Sequence, residues 1–170
     1  MAQFDRQILG KNIKLLREGA GLSQHDFSTL VDISKRSLAN IEAGRTSTNL
    51  DLLDKILSIF NYEIEEICKK KIEIPIDFRE TLIKLHKKNH SLTKLLDQQP
   101  NIVYAIKFKL LKSDFVDQPK EISHIKSFFK QFEWSYKGTS ISNALKRMPD
   151  FIEIRRHETK GNTNVYLRRR

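Results

Sequence analysis

Residues Leu22 to Gly44 read LSQHDFSTLVDISKRSLANIEAG, and their apolar spacing describes two short helices separated by a tight turn. Ser23 and Asp26 have the spacing of a capping box, in which the hydroxyl takes a first-turn N–H and the carboxylate reaches back, so a helix starts at Gln24. Phe27, Leu30 and Val31 recur at three- and four-residue steps and give that helix one buried face, leaving Gln24, His25 and Ser28 outward. The helix ends near Val31. Ser34 has the chemistry to cap a second helix, whose inward residues Leu38 and Ile41 are three apart and which Gly44 stops in a left-handed conformation. Only Asp32 and Ile33 lie between the two. The outward face of the second helix holds Lys35, Arg36, Ala39 and Asn40, with Ser37 near its edge, and a basic face of this kind is suited to the DNA major groove.

At these residues the chain resembles the lambda-repressor-like (Xre-type) helix-turn-helix family. The pattern L-S-Q-x-[DE]-φ-[AS]-x-x-φ-x-[VI]-S-x-x-[ST]-φ-x-x-[IL]-E-x-G, with φ apolar, is filled by Leu22, Ser23, Gln24, Asp26, Phe27, Ser28, Val31, Ile33, Ser34, Ser37, Leu38, Ile41, Glu42 and Gly44. The resemblance covers about the first 70 residues and implies a five-helix DNA-binding domain. It also implies that Arg17 on the first helix pairs with Glu42 on the third, a bridge that holds the recognition helix rather than reading bases, and that Gln24 anchors to phosphate or buttresses a base contact. Arg36 and Asn40 are the candidates for base readout, since Arg pairs with a guanine edge and Asn with an adenine edge. Lys35 suits either a base or a phosphate. Arg45, Thr46, Ser47 and Thr48 follow the recognition helix where the DNA backbone would pass. Two positions depart from the family. Asp32 stands where Gly is usual in the turn, and Ala43 replaces an Asn that often contacts phosphate.

The chain of 170 residues has a net charge of +10 and one cysteine, Cys68. A single cysteine rules out an internal disulfide and a multi-cysteine zinc site, and no apolar run suggests a signal peptide or a membrane span, so a cytoplasmic protein is expected. The charge is unevenly spread. Met1 to Lys70 carry 10 Lys+Arg against 10 Asp+Glu, while Lys71 to Arg170 carry 21 against 11. A basic region so placed suits a polyanion, although a solvated basic surface has the same composition.

Before the motif, Leu9, Ile13, Leu16 and Ala20 mark a first helix running from Phe4 to Gly19. After it, Thr48 and Asp51 repeat the capping-box spacing, a fourth helix holds Leu50, Leu53, Ile56, Leu57 and Phe60, and a fifth holds Ile64 and Ile67. A composition change with Pro75 puts a boundary between Lys69 and Asp77. Residues 71–100 then read as linker and amphipathic helix. Phe78, Leu82, Leu85, Asn89, Leu92 and Leu96 fall on one heptad seam, where a polar Asn is a device for fixing a helical dimer; a helix packed on its own domain has the same period, and that is preferred. His86 and His90 stand four apart with lysines between them, and a solvated face is preferred to a metal site.

Residues 101–170 form the expected second domain. Ile102 to Lys112 reads as a helix, though Tyr104, Ile106, Phe108 and Leu110 also alternate. Pro119 precedes a helix with Ile122, Ile125, Phe128, Phe129 and Phe132 on one side. Thr139 or Ser140 can cap another, with Ile141, Leu145 and Met148 buried and Ser142, Asn143, Lys146 and Arg147 largely outward, and Pro149 stops it. Phe151–Arg155 and Asn164–Arg168 are β-rich runs joined by a turn with Lys160-Gly161-Asn162 at its tip, a hairpin signal. Helix, helix, hairpin resembles a winged helix-turn-helix domain by architecture alone. That resemblance implies a second recognition helix bearing Ser140, Ser142, Asn143, Lys146 and Arg147, and a wing with Lys160, Asn162 and Asn164. Lys137 to Arg170 hold 9 Lys+Arg against 3 Asp+Glu.

The expected fold is therefore mainly α: a five-helix helix-turn-helix domain (1–70), a linker with an amphipathic helix (71–100) and a basic winged-helix-like domain (101–170) with a small hairpin. The expected function is that of a sequence-specific regulator binding double-stranded DNA as a homodimer, with no catalytic residues, metal or cofactor. An antitoxin or accessory regulator, with the basic domain holding a partner protein, is the alternative. No phosphate loop, HExxH, CxxC or GxSxG supports an enzyme.

Overall fold

The computed structural model describes residues 5–169, which are mainly helical with one two-stranded antiparallel sheet. They divide into two compact units, one up to Pro100 and one from Asn101 onward.

In the first unit α1 (Arg6–Gly19), α2 (Gln24–Leu30), α3 (Lys35–Glu42), α4 (Leu50–Phe60) and α5 (Ile64–Ile67) are followed by α6 (Phe78–Leu85) and α7 (His90–Leu96). Asp5 caps α1 by accepting the amides of Gln7 and Ile8; the start expected at Phe4 lies outside the described residues. Ser23 takes the Asp26 amide at 3.1 Å, but the Asp26 carboxylate accepts the Ser23 hydroxyl at 2.5 Å instead of reaching back to the backbone. Ser34 caps α3 through the Ser37 amide. Between them the chain turns at Asp32 with φ 60°, a left-handed conformation that Asp tolerates better than most residues. Ser28, expected outward, is buried: its hydroxyl donates to the His25 carbonyl and its own carbonyl takes the Ile33 amide that closes the turn.

Two packing features are less apparent in the sequence. A β-carbon on Gly10 would sit 2.1 Å from the Ile41 carbonyl oxygen, so only glycine lets α1 lie directly against α3. Asn12 is buried and donates to the Ile67 and Lys69 carbonyls at 2.7 and 2.8 Å, tying α1 to the end of α5. Two expectations around α4 need correction. Asn49, not Thr48, is the cap, accepting the Leu52 amide at 2.8 Å. Leu50, the first residue after that cap, is 79% exposed, while Leu53, Ile56 and Phe60 are buried.

Residues 71–100, read as linker and amphipathic helix, close the first core. Ile72, Phe78, Leu82, Leu92 and Leu96 pack in the same apolar cluster as Leu16, Phe27 and Phe60. The single seam from Phe78 to Leu96 does not form: the chain breaks after Leu85, which is half-exposed, and Asn89 caps α7 by accepting the Leu92 amide. His86 is therefore not on one helix with His90, and its Nε2 meets the Ile59 carbonyl at 2.8 Å. Phe78 packs between Phe60 and Tyr62. Buried Arg79 holds the arrangement by donating to the carbonyls of Ala20, Leu96 and Gln98. Two of these oxygens belong to the ends of α1 and α7, where carbonyls lack intrahelical partners and a cation is favoured.

The second unit starts with α8 (Ile102–Tyr104), which continues through a π-helical turn (Ala105–Lys109) and a 3-10 turn (Leu110–Lys112); a second 3-10 turn spans Phe115–Asp117. Helices α9 (Ile122–Lys130) and α10 (Gly138–Lys146) precede the hairpin of β1 (Ile152–Arg156) and β2 (Asn164–Arg168). In the antiparallel register Ile152 faces Arg168 and Ile154 faces Tyr166. Lys120 extends the sheet by exchanging both backbone hydrogen bonds with Tyr166 at 2.9 Å. Helix, bridging strand residue, two helices and a hairpin make this unit winged-helix-like. Its core is Ile106, Leu110, Val116, Ile125, Phe129, Ile141, Leu145, Ile152 and Tyr166. Phe132, expected in it, is 37% exposed and stacks on Trp134 across a turn in which Glu133 has φ 62°. Helix α10 begins at Gly138 after Lys137, so Thr139 and Ser140 are exposed first-turn residues and not caps.

Replacing Gly10 by Ala should destabilise the first unit by about 1–3 kcal/mol, the usual cost of forcing an atom into a filled contact. A thermal-unfolding midpoint equal to that of the unsubstituted protein would show that α1 and α3 can separate without loss.

Candidate nucleic-acid interface

Glu42 lies at the buried end of α3 and collects three donors. Arg17 Nε reaches Glu42 Oε1 at 2.5 Å, Arg17 Nη2 reaches Oε2 at 3.0 Å, and Gln24 Nε2 reaches Oε2 at 2.9 Å. Arg17 Nη1 donates to the Leu22 carbonyl at 2.9 Å. Arg17 and Glu42 are 5% and 6% exposed, so the two-pronged pair is withdrawn from solvent and its donors are satisfied. The contacts fix α3 to α1 and to the start of α2. Gln24, considered above for a phosphate anchor, spends its amide on Glu42.

With Leu38 and Ile41 inward, Lys35, Arg36 and Ser37 are exposed and Asn40 is half-buried on the opposite side. Ser37 shares its hydroxyl with Ser34 at 2.8 Å. Arg45 and Thr46 are exposed just beyond Gly44, whose φ of 67° lets the chain leave the helix beside Gln7. The structure thus brings Lys35, Arg36, Ser37, Asn40, Arg45 and Thr46 to α3 and its exit, with Gln24 behind them.

In the second unit Ser140, Asn143, Lys146 and Arg147 are exposed along α10 and its end, opposite buried Ile141, Ala144 and Leu145. Exposed Thr139 belongs to the same face and was not among the candidates. Two of the candidates have other partners. The Ser142 hydroxyl is half-buried against the Tyr166 hydroxyl at 2.8 Å, which turns it away from the exposed face. Lys160 Nζ is bonded to Glu121 Oε1 at 2.5 Å. Asn162 is exposed on the hairpin tip, as is Arg156 on β1. Arg168 is occupied within the fold by Asp117 and by the carbonyls of Leu111 and Ser113.

Electrostatics separates the two units. Residues 1–100 hold 16 Lys+Arg against 14 Asp+Glu, and residues 101–170 hold 15 against 7. The Lys160 hydrogen bond, and after it the Lys160 charge, keeps the Glu121 carboxyl below its ordinary range. Burial, and then the Glu65 charge, pushes the Cys68 thiol up, away from a reactive thiolate.

Residues 13–67 match the helix-turn-helix family model. The first unit carries a lambda-repressor-like helix-turn-helix domain. Over 79 residues the chain is 35% identical to Antitoxin PezA of Streptococcus pneumoniae serotype 4, a match covering 46% of this chain and 50% of that relative. The chain thus spans half the length of the curated relative it matches. No solved structure matches. Among the described residues no helix is long and apolar enough to cross a membrane, and no group of His, Cys, Asp and Glu could hold a metal ion.

Truncating Glu42 to Ala would leave the buried Arg17 guanidinium only the Glu18 carboxylate, 3.9 Å from Nη2, at a cost of up to about 3–5 kcal/mol. Chemical denaturation should show a lowered midpoint, and an unchanged one would remove the pair from its structural role. A carboxyl held low in the fold contributes stability above its unfolded value and loses it as pH falls through the folded value. The Glu121–Lys160 contact should therefore persist at the pH where a free glutamate protonates and open at lower pH, as followed by the Glu121 side-chain carboxyl resonance.

Proposed function

We propose that this protein is a sequence-specific transcriptional regulator that binds double-stranded DNA through α3, acting in the cytoplasm as a dimeric repressor or autoregulator and not as an enzyme. The observation that carries this reading is the recognition helix held from behind by the buried Arg17–Glu42–Gln24 contacts while Lys35, Arg36, Ser37 and Asn40 face outward. Arg36 and Asn40 read bases, Lys35 reads a base or a phosphate, and Arg45 and Thr46 hold the backbone on either side. One helix of this length contacts few base pairs, so two copies on a two-fold operator supply the specificity. The second unit adds affinity through the exposed face of α10, with Ser140, Asn143, Lys146 and Arg147, and through the tip of the wing, with Asn162. Its excess of basic residues supports contact with phosphates.

A second reading is favoured by the similarity to Antitoxin PezA. On it, the helix-turn-helix domain controls the protein's own operon and another surface holds a partner protein. Exposed Ile76 and Leu85, 66% and 51% accessible, supply apolar contact area in residues 71–100. Co-purification of one stoichiometric partner from the native host would favour this reading.

Selection of bound sites from random duplexes by the full chain tests the proposal, with a palindromic motif expected. Arg36→Ala and Asn40→Ala should each relax the preference at one position per half-site, by about 1–3 kcal/mol. If Arg36→Ala leaves both affinity and preference intact, α3 is not the reading helix.

A further inference from the structure

The hairpin tip of the second unit is closed on itself around His157. Its Nδ1 lies 3.2 Å from the Thr159 amide and 3.3 Å from the Lys160 amide, both donors. A nitrogen that accepts carries no hydrogen, so the imidazole proton is on Nε2, and Nε2 lies 3.3 Å from Glu121 Oε1. The same oxygen takes Lys160 Nζ. Glu121 belongs to the start of α9, 39 residues from Lys160 in sequence. The carboxylate thus meets the wing twice, through the imidazole that shapes the turn and through the ammonium at its tip. His124, one turn along α9, supplies the other titratable side chain at this place through Nδ1, which accepts the Glu121 amide. Arg156 donates to the Gly161 carbonyl and completes the turn.

Resting on the reading that the second unit contacts DNA, we propose that Glu121 is an internal stand-in for a DNA phosphate, withholding Lys160 from the nucleic acid until a phosphate displaces the carboxylate. Both are oxyanions that accept from the same ammonium, so the exchange replaces one charge-assisted hydrogen bond by another. The wing is then latched in the free protein, and on the duplex the carboxylate and a phosphate compete for Lys160, so only part of the bound molecules have the wing open. Lys160 contributes little to affinity while Glu121 competes for it, and His157 holds the turn in either form. Glu121 is a positioning residue, with no contact to the DNA.

Glu121→Gln removes the charge but keeps a carbonyl oxygen for the start of α9, so the helix is retained and circular dichroism checks this. Binding of the full chain to a non-specific duplex is measured against salt for Glu121→Gln, Lys160→Ala, the double variant and Arg147→Ala. The proposal expects Glu121→Gln to bind tighter by up to about fivefold, the scale of a surface ion pair. Its plot of log affinity against log salt should be steeper by up to about one unit, because every bound molecule then makes the Lys160–phosphate contact that only part of them make with Glu121 in place. Lys160→Ala should have little effect in the original protein and should abolish the whole gain in the Glu121→Gln background. If Arg147→Ala weakens binding while Glu121→Gln leaves affinity and slope unchanged, the second unit binds DNA but the stand-in idea is overturned. If neither Arg147→Ala nor any wing variant changes binding, the reading of the second unit falls and the proposal with it.

Discussion

The buried contact among Arg17, Glu42 and Gln24 is the constraint on which the first unit turns. Helix α3, eight residues long, is too short to be stable by itself, so its orientation must come from what lies behind it. The carboxylate of Glu42 takes donors from α1 and from the first residue of α2 at once, which sets the position of α3 relative to both. Gly10 completes the constraint, because the backbone of α1 can approach Ile41 only where no side chain intervenes. Hydrogen bonding and steric fit converge on one placement of the outward face.

Much of the helix-turn-helix was legible because its determinants are local. Ser23 and Ser34 cap helices whose first amides lie three residues away, Asp32 and Gly44 occupy left-handed turns, and Leu38 and Ile41 face inward by helical period. The outward set on α3 follows from that period alone. The seam from Phe78 to Leu96 was misleading because apolar spacing reports which residues are buried and not whether the helix continues between them. The break after Leu85 leaves Phe78, Leu82, Leu92 and Leu96 buried with the spacing a continuous helix would have. Asn89 fits both readings, since a seam asparagine and a cap asparagine look the same in a string of letters.

Side chains whose roles were hidden have partners far along the chain. Ser142 meets Tyr166 and Lys160 meets Glu121, at separations of 24 and 39 residues. In the sequence the first is simply an outward polar residue of a helix and the second a cation on a basic loop. Asn12 and Arg79 belong to the same class: each is polar, lies on an amphipathic helix and is buried because backbone carbonyls satisfy it. Nothing in the local pattern distinguishes such a residue from one facing water.

Arg79 also bears on the order in which the chain assembles. Its guanidinium joins the end of α1, at Ala20, to carbonyls at Leu96 and Gln98. These contacts close loops of long sequence separation, and such loops form late and slowly. On the ribosome, the segment matching the helix-turn-helix family is complete at residue 67, yet the face of Phe60 that Phe78 covers stays open for 11 residues more, and the carbonyls of Leu96 and Gln98 that anchor Arg79 follow only at 29 and 31 residues beyond it. Completion of the helix-turn-helix unit is therefore timed by the synthesis of residues that lie outside the helix-turn-helix itself, and the nascent chain carries an uncovered aromatic surface in the interval.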